Sequence, residues 1–264
     1  TVKSLRRKME GRKLNKHCIS VVVLSAALTG CQTDNSESSD NTISTGAVAG
    51  STAALTYQNG HLVVLDGDHI LAYRFPDEGL AELTGSYSVQ GAETVFPEGE
   101  STLYIGRNGG ASILNLDENG EFSLLGEANH IVSCDPVIVD SGIMYLTLRS
   151  GNNCANPNGA NELQVWEVSD PAEPTMLATL AMPNPFGLSK NGDALWICTG
   201  NGLARVNVAD GTNPVLETTY PEILCNDIII RSEAEAYVTS DDAIYLIDLS
   251  GTSPTILSDI TPGE

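Results

Sequence analysis

A period of 41 residues is the feature that most restricts what this sequence can fold into. Five triplets share one apolar pattern: Leu62-Val63-Val64, Leu103-Tyr104-Ile105, Met144-Tyr145-Leu146, Leu195-Trp196-Ile197 and Ala236-Tyr237-Val238. Their middle residues lie 41, 41, 51 and 41 positions apart. The longer interval contains the polar insertion 149–161. A repeated unit that cannot bury its apolar face alone must stack on neighbouring copies, so the sequence predicts a repeat architecture.

Each period divides into four strand-like runs, which in the fourth period are 185–190, 193–199, 202–208 and 214–220. Asn59-Gly60 and Asn191-Gly192 are typical of two-residue hairpin turns, because both positions accept a positive φ. Four strands in about 40 residues are typical of a propeller blade. We therefore predict an all-β fold, a β-propeller of five four-stranded antiparallel blades. The predicted innermost strands are 53–58, 92–97, 134–140, 185–190 and 225–231.

A sandwich of short strands is the competing all-β fold, and the fixed period counts against it. Two ways of completing the ring stay open. Either the strand at 53–58 closes it after the fifth blade, or the native propeller has more blades.

A second motif follows the triplets. The segments Trp166–Pro174 and Val206–Pro214 share the ending V-[SA]-D-[PG]-x-x-P. They resemble the LVIVD repeat of bacterial surface and secreted proteins, closely over 143–260 and weakly over 53–120. The resemblance implies a β-propeller and no particular activity.

The N-terminal region has the pattern of an export signal. Residues 1–16 are basic, and Ile19–Leu28 form an apolar run too short to span a bilayer. The run ends in Leu28-Thr29-Gly30-Cys31, which resembles the lipobox of bacterial lipoproteins. This resemblance implies cleavage before Cys31 and attachment of lipid to it, and Gln32 in place of Asp favours the outer over the inner membrane. A plain signal peptide is the alternative.

These patterns predict three regions. Residues 1–30 are a lipoprotein signal peptide, with Met9 as the expected start. Residues 31–52 are the lipidated Cys31 and a disordered tether, because this segment is rich in Ser, Thr, Asn, Asp and Gly. Residues 53–264 are the propeller, held at the bacterial cell envelope by the lipid.

The charge excludes some classes of partner. The chain has a formal net charge of −21, and from Gln32 onward six basic residues face 33 acidic ones. Nucleic-acid binding needs a basic footprint, so no nucleic-acid partner is expected. Docking on anionic lipid by charge is equally disfavoured. The acidity leaves open solubility, adaptation to saline water and attraction of a cationic partner.

Four cysteines remain after the signal peptide and the lipidated Cys31, and in an exported chain disulfides are their default state. The propeller places all four on one face. Cys134 and Cys154 lie within blade 3, whereas Cys198 and Cys225 lie on neighbouring blades 4 and 5. We predict the disulfides Cys134–Cys154 and Cys198–Cys225. A metal site is the alternative, although no C-x-x-C spacing is present.

Three acidic residues are predicted to lie near the mouth of the channel. Asp135 and Asp227 occupy equivalent positions, and Glu93 is one position away. Such a ring could bind Ca²⁺ or act as acid and base on a sugar. The favoured interpretation is that they cap the turns into the strands. No cofactor is predicted, with Ca²⁺ as the alternative.

Three functional hypotheses follow. The leading one is a non-catalytic binding module with a protein or glycan partner on the envelope, contacted through the insertion 149–161. Recognition is often carried by loops on rigid scaffolds. The predicted contact residues are Asn152, Asn153, Asn156 and Asn158. The second is a carbohydrate-active hydrolase using Asp135, Asp227 and Glu93, and the third is a structural surface protein that stacks with copies of itself.

Overall fold

The computed structural model of the protein describes residues 50–129, 136–150 and 160–261, and these contain twenty β-strands. Blade 1 consists of β1 (Leu55–Gln58), β2 (His61–Asp66), β3 (His69–Arg74) and β4 (Glu82–Ser88). Blade 2 consists of β5 (Ala92–Glu98), β6 (Thr102–Arg107), β7 (Gly110–Leu116) and β8 (Phe122–Asn129). Blade 3 consists of β9 (Val137–Asp140), β10 (Ile143–Leu148), β11 (Glu162–Glu167) and β12 (Thr175–Ala181). Blade 4 consists of β13 (Pro185–Asn191), β14 (Ala194–Thr199), β15 (Gly202–Asn207) and β16 (Val215–Tyr220). Blade 5 consists of β17 (Asp227–Ile230), β18 (Glu235–Thr239), β19 (Ile244–Asp248) and β20 (Thr255–Ile260).

Each blade is a four-stranded sheet whose strands are neighbours in chain order, and every pairing is antiparallel. The predicted fold class, a β-propeller of five four-stranded blades, is therefore confirmed. The described part of the chain contains no helix, and so none that is long and apolar enough to cross a membrane.

Local turn chemistry explains how these short strands reverse. Asn59 and Gly60 have φ angles of 47° and 80° and join β1 to β2, as the sequence predicts for a two-residue hairpin. The turn predicted at Asn191-Gly192 is displaced by one residue. Asn191 is the last residue of β13, and Gly192, with φ of 58°, opens the turn.

A register shift recurs between the third and the outermost strand of every blade. It lies at Ala72/Tyr73, Ile113/Leu114, Val165/Trp166, Arg205/Val206 and Leu246/Ile247. The repeat thus extends to the position of a β-bulge, a device that increases the local twist of a strand.

The alternation of side chains on the second strand connects blades 2, 3 and 4 each to both of their neighbours. In blade 2, Leu103 and Ile105 pack towards blade 1, whereas Tyr104, the middle residue of the triplet, packs towards blade 3. Tyr145 and Trp196 pack towards the following blade in the same way. Four buried apolar clusters join blades 1 and 2, 2 and 3, 3 and 4, and 4 and 5. This packing explains why the triplets set the period.

Candidate binding site at the mouth of the central channel

The candidate site is a cavity at the end of the ring where the innermost strands begin. Its volume is about 310 Å³. The lining residues come from the starts of innermost strands, the ends of second strands and the segment before β1: Thr52, Pro136, Arg149, Phe186, Gly187, Asn226, Asp227 and Thr239. The channel mouth is where the sequence places its candidate carboxylates.

Asp227, the first residue of β17, is almost completely buried. Its Oδ1 accepts hydrogen bonds from Ser51 Oγ at 3.0 Å and from the Ile228 backbone N–H at 2.9 Å. Its Oδ2 accepts one from Thr52 Oγ1 at 2.5 Å. Both carboxylate oxygens are therefore used to hold the chain that precedes blade 1 against blade 5.

Residues 51–53 extend this network to two further blades. The Ser51 hydroxyl donates to Asp227 and accepts from the Leu188 N–H of blade 4 at 2.7 Å. Two residues later, the carbonyl of Ala53 accepts the Val95 N–H of blade 2 at 2.8 Å. Residues 50–53 therefore lie at the centre of the ring and contact three blades. Residues 50–52, which the sequence analysis assigns to the tether, contribute contacts to the propeller.

Gly187 allows blade 4 to pack closely against Asp227 of blade 5. A Cβ at this position would lie 2.0 Å from Asp227 Oδ1 and 2.7 Å from the Asp227 Cα. No side chain fits there without displacing the β17 backbone. The Gly187 N–H also donates to the Asn226 carbonyl at 2.9 Å, which fixes the entry to β17 beside blade 4.

The environment of Asp227 makes its carboxyl a weaker acid than usual. Burial raises the pKa of the carboxyl above its ordinary value, and the hydrogen bonds from Thr52, Ile228 and Ser51 oppose this only in part. A group that bonds its own fold on both oxygens is a poor acid or base for a bound substrate. The geometry gives Asp227 a structural role, because it holds residues 51 and 52 against blade 5.

Glu93 is not among the residues that line the cavity with Asp227. Glu93, the second residue of β5, is exposed and acts electrostatically on Arg149. Asp135 lies outside the described residues, as do Cys134, Cys154 and the predicted contact residues Asn152, Asn153, Asn156 and Asn158. Across the described ranges, no group of three or more His, Cys, Asp or Glu side chains is arranged to hold a metal ion.

Arg149 brings positive charge to the mouth of an acidic protein. Its guanidinium carbon lies 4.2 Å from the centroid of the Phe186 ring, a cation–π arrangement. Burial lowers the pKa of Arg149, and the charge of Glu93 opposes that shift. Because an arginine stays protonated throughout the physiological range, the cavity has a permanent cation in its wall.

The other basic residues of the propeller are used in ion pairs. These pairs are Arg74–Glu82, Arg107–Glu127, Lys190–Asp140, Arg205–Glu217 and Arg231–Glu235. None of these five basic residues lines the cavity, whereas Arg149, which interacts with the charge of Glu93, does.

The base of the insertion lies directly beside Arg149. Asn161 Nδ2 donates to Ser150 Oγ at 2.6 Å, and the Ser150 N–H donates to Asn161 Oδ1 at 3.1 Å. The Met182 N–H donates to the Asn161 carbonyl at 3.0 Å. This pair of hydrogen bonds fixes both ends of the insertion at the rim of the cavity.

The predicted disulfide Cys198–Cys225 is confirmed. It joins β14 of blade 4 to the residue two positions before β17, with 5.3 Å between the Cα atoms. The bridge holds the segment that carries Asn226 and Asp227 against blade 4. The channel mouth is thus supported by a covalent bond and by the Ser51 network.

Two features of the site were not predicted: the role of Ser51 and Thr52, and the contact of Arg149, the first residue of the predicted contact insertion, with Phe186. Ser51 and Thr52 are small polar residues of the kind common in linkers. Their role becomes apparent only in the structure, where Asp227 accepts their hydrogen bonds. Arg149 and Phe186 lie on neighbouring blades, 37 positions apart. Their positions at the end of a second strand and the start of the next innermost strand could have signalled the contact.

Fold and site together define the protein as a β-propeller with a cavity at its channel mouth. No protein-family model and no curated protein matches the chain. Solved structures share the fold at low sequence identity. One is a functionally unknown protein from Desulfotomaculum acetoxidans, with a TM-score of 0.59 and 10% identity over 82% of this chain and 70% of that one.

Two further neighbours are bacterial proteins. The periplasmic gluconolactonase PpgL of Pseudomonas aeruginosa matches with a TM-score of 0.56 and 11% identity, over 76% of this chain and 69% of that one. BamB of Moraxella catarrhalis matches with a TM-score of 0.52 and 11% identity, over 78% of this chain and 62% of that one. At such identities these likenesses establish the fold.

Proposed function

We propose that this protein is a non-catalytic binding module of the bacterial cell envelope, which binds a partner protein at the mouth of its propeller. The observation that carries the proposal is the state of Asp227. Its carboxylate accepts three hydrogen bonds from its own chain and is buried. It therefore serves the scaffold, whereas acid–base catalysis on a sugar needs carboxyl groups that reach the substrate.

The same end of the molecule has the features of a recognition surface. The cavity is lined by an aromatic ring, a stacked guanidinium and the small polar side chains of Thr52, Asn226 and Thr239. Polar groups held in fixed positions beside an aromatic ring are typical of binding sites. Arginine stacked on an aromatic ring is also common at the centre of protein interfaces.

The insertion 149–161 is proposed as the second part of this surface. The hydrogen bonds between Ser150 and Asn161 place its base at the cavity rim. Asn152, Asn153, Asn156 and Asn158 would then extend the contact around Arg149, and the proposed Cys134–Cys154 disulfide would limit the conformations of the insertion.

The envelope location rests on the N-terminal pattern. We propose that Cys31 is lipidated and that the propeller belongs to the LVIVD-repeat proteins, with the outer membrane favoured by Gln32. The fold is shared with a protein described as periplasmic, the gluconolactonase PpgL. Replacing Cys31 by Ala should abolish incorporation of labelled palmitate and release the protein from the membrane fraction. Labelling that persists in Cys31→Ala would refute the anchor.

Crosslinking capture from bacterial envelopes tests the binding function. The bait is the full lipidated chain, compared with a variant whose residues 151–159 are replaced by a short Gly-Ser linker, and with Arg149→Gln. We expect one stoichiometric protein that is lost with the linker variant and reduced with Arg149→Gln. Arg205→Gln is the matched control, because Arg205 also lies over an aromatic ring, 5.9 Å from the centroid of Trp196, but outside the cavity. Equal capture by all four baits would contradict the proposed surface.

A further inference from the structure

A second cavity, separate from the one at the channel mouth, lies between blades 1 and 2. Its volume is about 370 Å³, which is within the range of pockets that hold small molecules. Tyr87 and Gln90, at the end of β4 and in the segment after it, belong to its lining. Blade 2 contributes Arg107, Leu124 and Glu127. The described lining residues of the two cavities do not overlap.

Arg107, the last residue of β6, is held in the wall of this cavity by side chains of β7 and β8. Its Nε donates to Ser112 Oγ at 3.0 Å, and its Nη2 donates to Asn129 Oδ1 at 2.6 Å. Nη2 also lies 3.4 Å from Glu127 Oε1, and the Arg107 side chain is only 16% exposed. The guanidinium is therefore fixed in position, and the neighbouring carboxylate compensates its charge.

The repeat shows that the propeller architecture does not require this ion pair. Three residues after the middle of each triplet, blade 2 has Arg107, whereas the other blades have Asp66, Leu148, Thr199 and Ser240. At the outermost-strand position of Glu127, the other blades have Ser86, Thr179, Thr219 and Asp259. Burying a guanidinium costs free energy, and an ion pair with a partly exposed carboxylate offsets that cost only in part. The Arg107–Glu127 pair is therefore a feature of blade 2 itself, as expected of groups that form a site.

The β-bulge of blade 2 adds an apolar side chain to the cavity. Ser112 pairs with Glu127 across β7 and β8, and the register shift after Ile113 places Leu124 opposite Leu114. Because Ser112 and Leu114 lie on the same face of β7, Leu124 lies on the same face of β8 as Glu127. Leu124 is 48% exposed, so blade 2 presents apolar surface and a paired carboxylate on one face.

Gln90 is positioned by the backbone on both sides of it. The Val89 N–H donates to the Asp68 carbonyl at 2.9 Å, and the Gly91 N–H donates to Asp68 Oδ1 at 2.8 Å. The Asn108 N–H of blade 2 donates to the Gly91 carbonyl at 2.9 Å. A site that is formed before its ligand arrives loses less conformational entropy on binding.

The hydrogen-bonding groups around the cavity determine which ligand it fits. Among the described residues, Nη1 of Arg107, Oε2 of Glu127 and the side-chain amide of Gln90 form no hydrogen bond. They offer a donor, an acceptor and a group that is both. An anionic ligand would meet the carboxylate and a cationic ligand would meet the guanidinium, so a neutral ligand is favoured. Adjacent hydroxyl groups, each a donor and an acceptor, match these side chains, and Tyr87 and Leu124 offer apolar surface to the C–H groups of a sugar ring.

We propose that the cavity between blades 1 and 2 is a binding site for a neutral saccharide. Gln90, Arg107 and Glu127 form hydrogen bonds to its hydroxyl groups, and Tyr87 and Leu124 pack on its ring. The site is independent of the partner surface proposed at the channel mouth, because the two cavities have different linings.

Saturation-transfer NMR on the full chain tests the proposal. The chain is kept in a detergent without a sugar headgroup, because a glycosidic detergent would itself compete for the site. The probes are neutral mono- and disaccharides of glucose, galactose, mannose and N-acetylglucosamine, with glucuronate and glucosamine as charged analogues. We expect transfer to at least one neutral saccharide, and weaker or no transfer to both charged sugars. Transfer to none of the neutral saccharides, or a preference for a charged sugar, would overturn the proposal.

Two substitutions locate the site, with the affinity for the bound saccharide measured by titration. Gln90→Ala removes an exposed amide that bonds to no described residue, so the affinity should fall about threefold to tenfold while the fold is retained. Glu127→Gln keeps the shape of the side chain and removes the compensating charge. The affinity for glucuronate should therefore rise at least about threefold relative to that for the neutral saccharide.

Glu217→Gln is the matched control. Glu217 also pairs with an arginine, Arg205, but it lies in blade 4 and does not line this cavity. This change should alter neither affinity, and circular dichroism of all three variants should match the unmodified chain. If Gln90→Ala and Glu127→Gln bind the sugars as the control does, the assignment of the site is wrong.

Discussion

Replacing Asp227 by Ala should destabilise the propeller through the segment that precedes blade 1. The change removes the acceptor of Ser51 Oγ, Thr52 Oγ1 and the Ile228 N–H. A buried donor left without a partner costs about 1–3 kcal/mol. Ser51 and Thr52 can rotate their hydroxyl groups, whereas the Ile228 N–H is fixed by the backbone. We therefore expect a loss of about 2–4 kcal/mol in the free energy of unfolding.

Urea unfolding followed by the fluorescence of Trp166 and Trp196 measures this loss. Both rings lie in interblade clusters, so their emission reports the packing of blades. The transition midpoint should fall at an unchanged slope. Asp210→Ala is the control, because its carboxylate caps an exposed turn by accepting from Thr212, and its cost should stay below about 1 kcal/mol. Equal losses in the two variants would refute the role given to Asp227.

Three further outcomes are expected from the same structure. Because burial raises the pKa of Asp227, protonation of its carboxyl stabilises the fold at low pH. The free energy of unfolding of the unmodified chain, relative to that of Asp227→Asn, should therefore decline as pH rises from about 3.8 through the raised pKa. A difference between the two proteins that does not change with pH would contradict this. Replacing Cys198 and Cys225 together by Ser should lower the free energy of unfolding in urea by about 3–4 kcal/mol, because the bridge joins residues 27 positions apart. A loss below about 1 kcal/mol would contradict the role of the bridge in holding blade 5. Burial and the charge of Asp140 raise the pKa of Tyr145 to about 12. The contribution of Tyr145 to stability is therefore present below pH 10 and is lost as pH rises towards 12. Unfolding at a fixed urea concentration should show a flatter decline of stability in that window for Tyr145→Phe.

The fold could be predicted because one packing rule generates the period. In blades 2, 3 and 4 the flanking residues of the triplet pack on the preceding blade and the middle residue packs on the following one, so apolar residues recur wherever blades meet. The same placement on one face predicted the Cys198–Cys225 pair from a second-strand end and a neighbouring strand start. In both cases the pattern is local in sequence, and the repeat indicates which residues of neighbouring blades lie close together.

The channel mouth could be predicted only in part. Asp227 is found from its repeat position, but whether its carboxylate faces solvent or the fold depends on Ser51 and Thr52, which are 176 and 175 residues away. Composition assigns those two residues to a linker. Similarly, Tyr237 has the same position in its triplet as Tyr104 and Tyr145, yet it is 41% exposed whereas they are buried.

The most direct test of the account measures binding and turnover on the same sample. The partner recovered by crosslinking is titrated against the unmodified chain and Asp227→Asn, and both proteins are incubated with envelope polysaccharide while released sugar is quantified. The account predicts equal affinity for the partner and no released sugar from either protein. Sugar released by the unmodified chain and abolished in Asp227→Asn, with folding intact, would contradict a non-catalytic binding module and make Asp227 a catalytic residue.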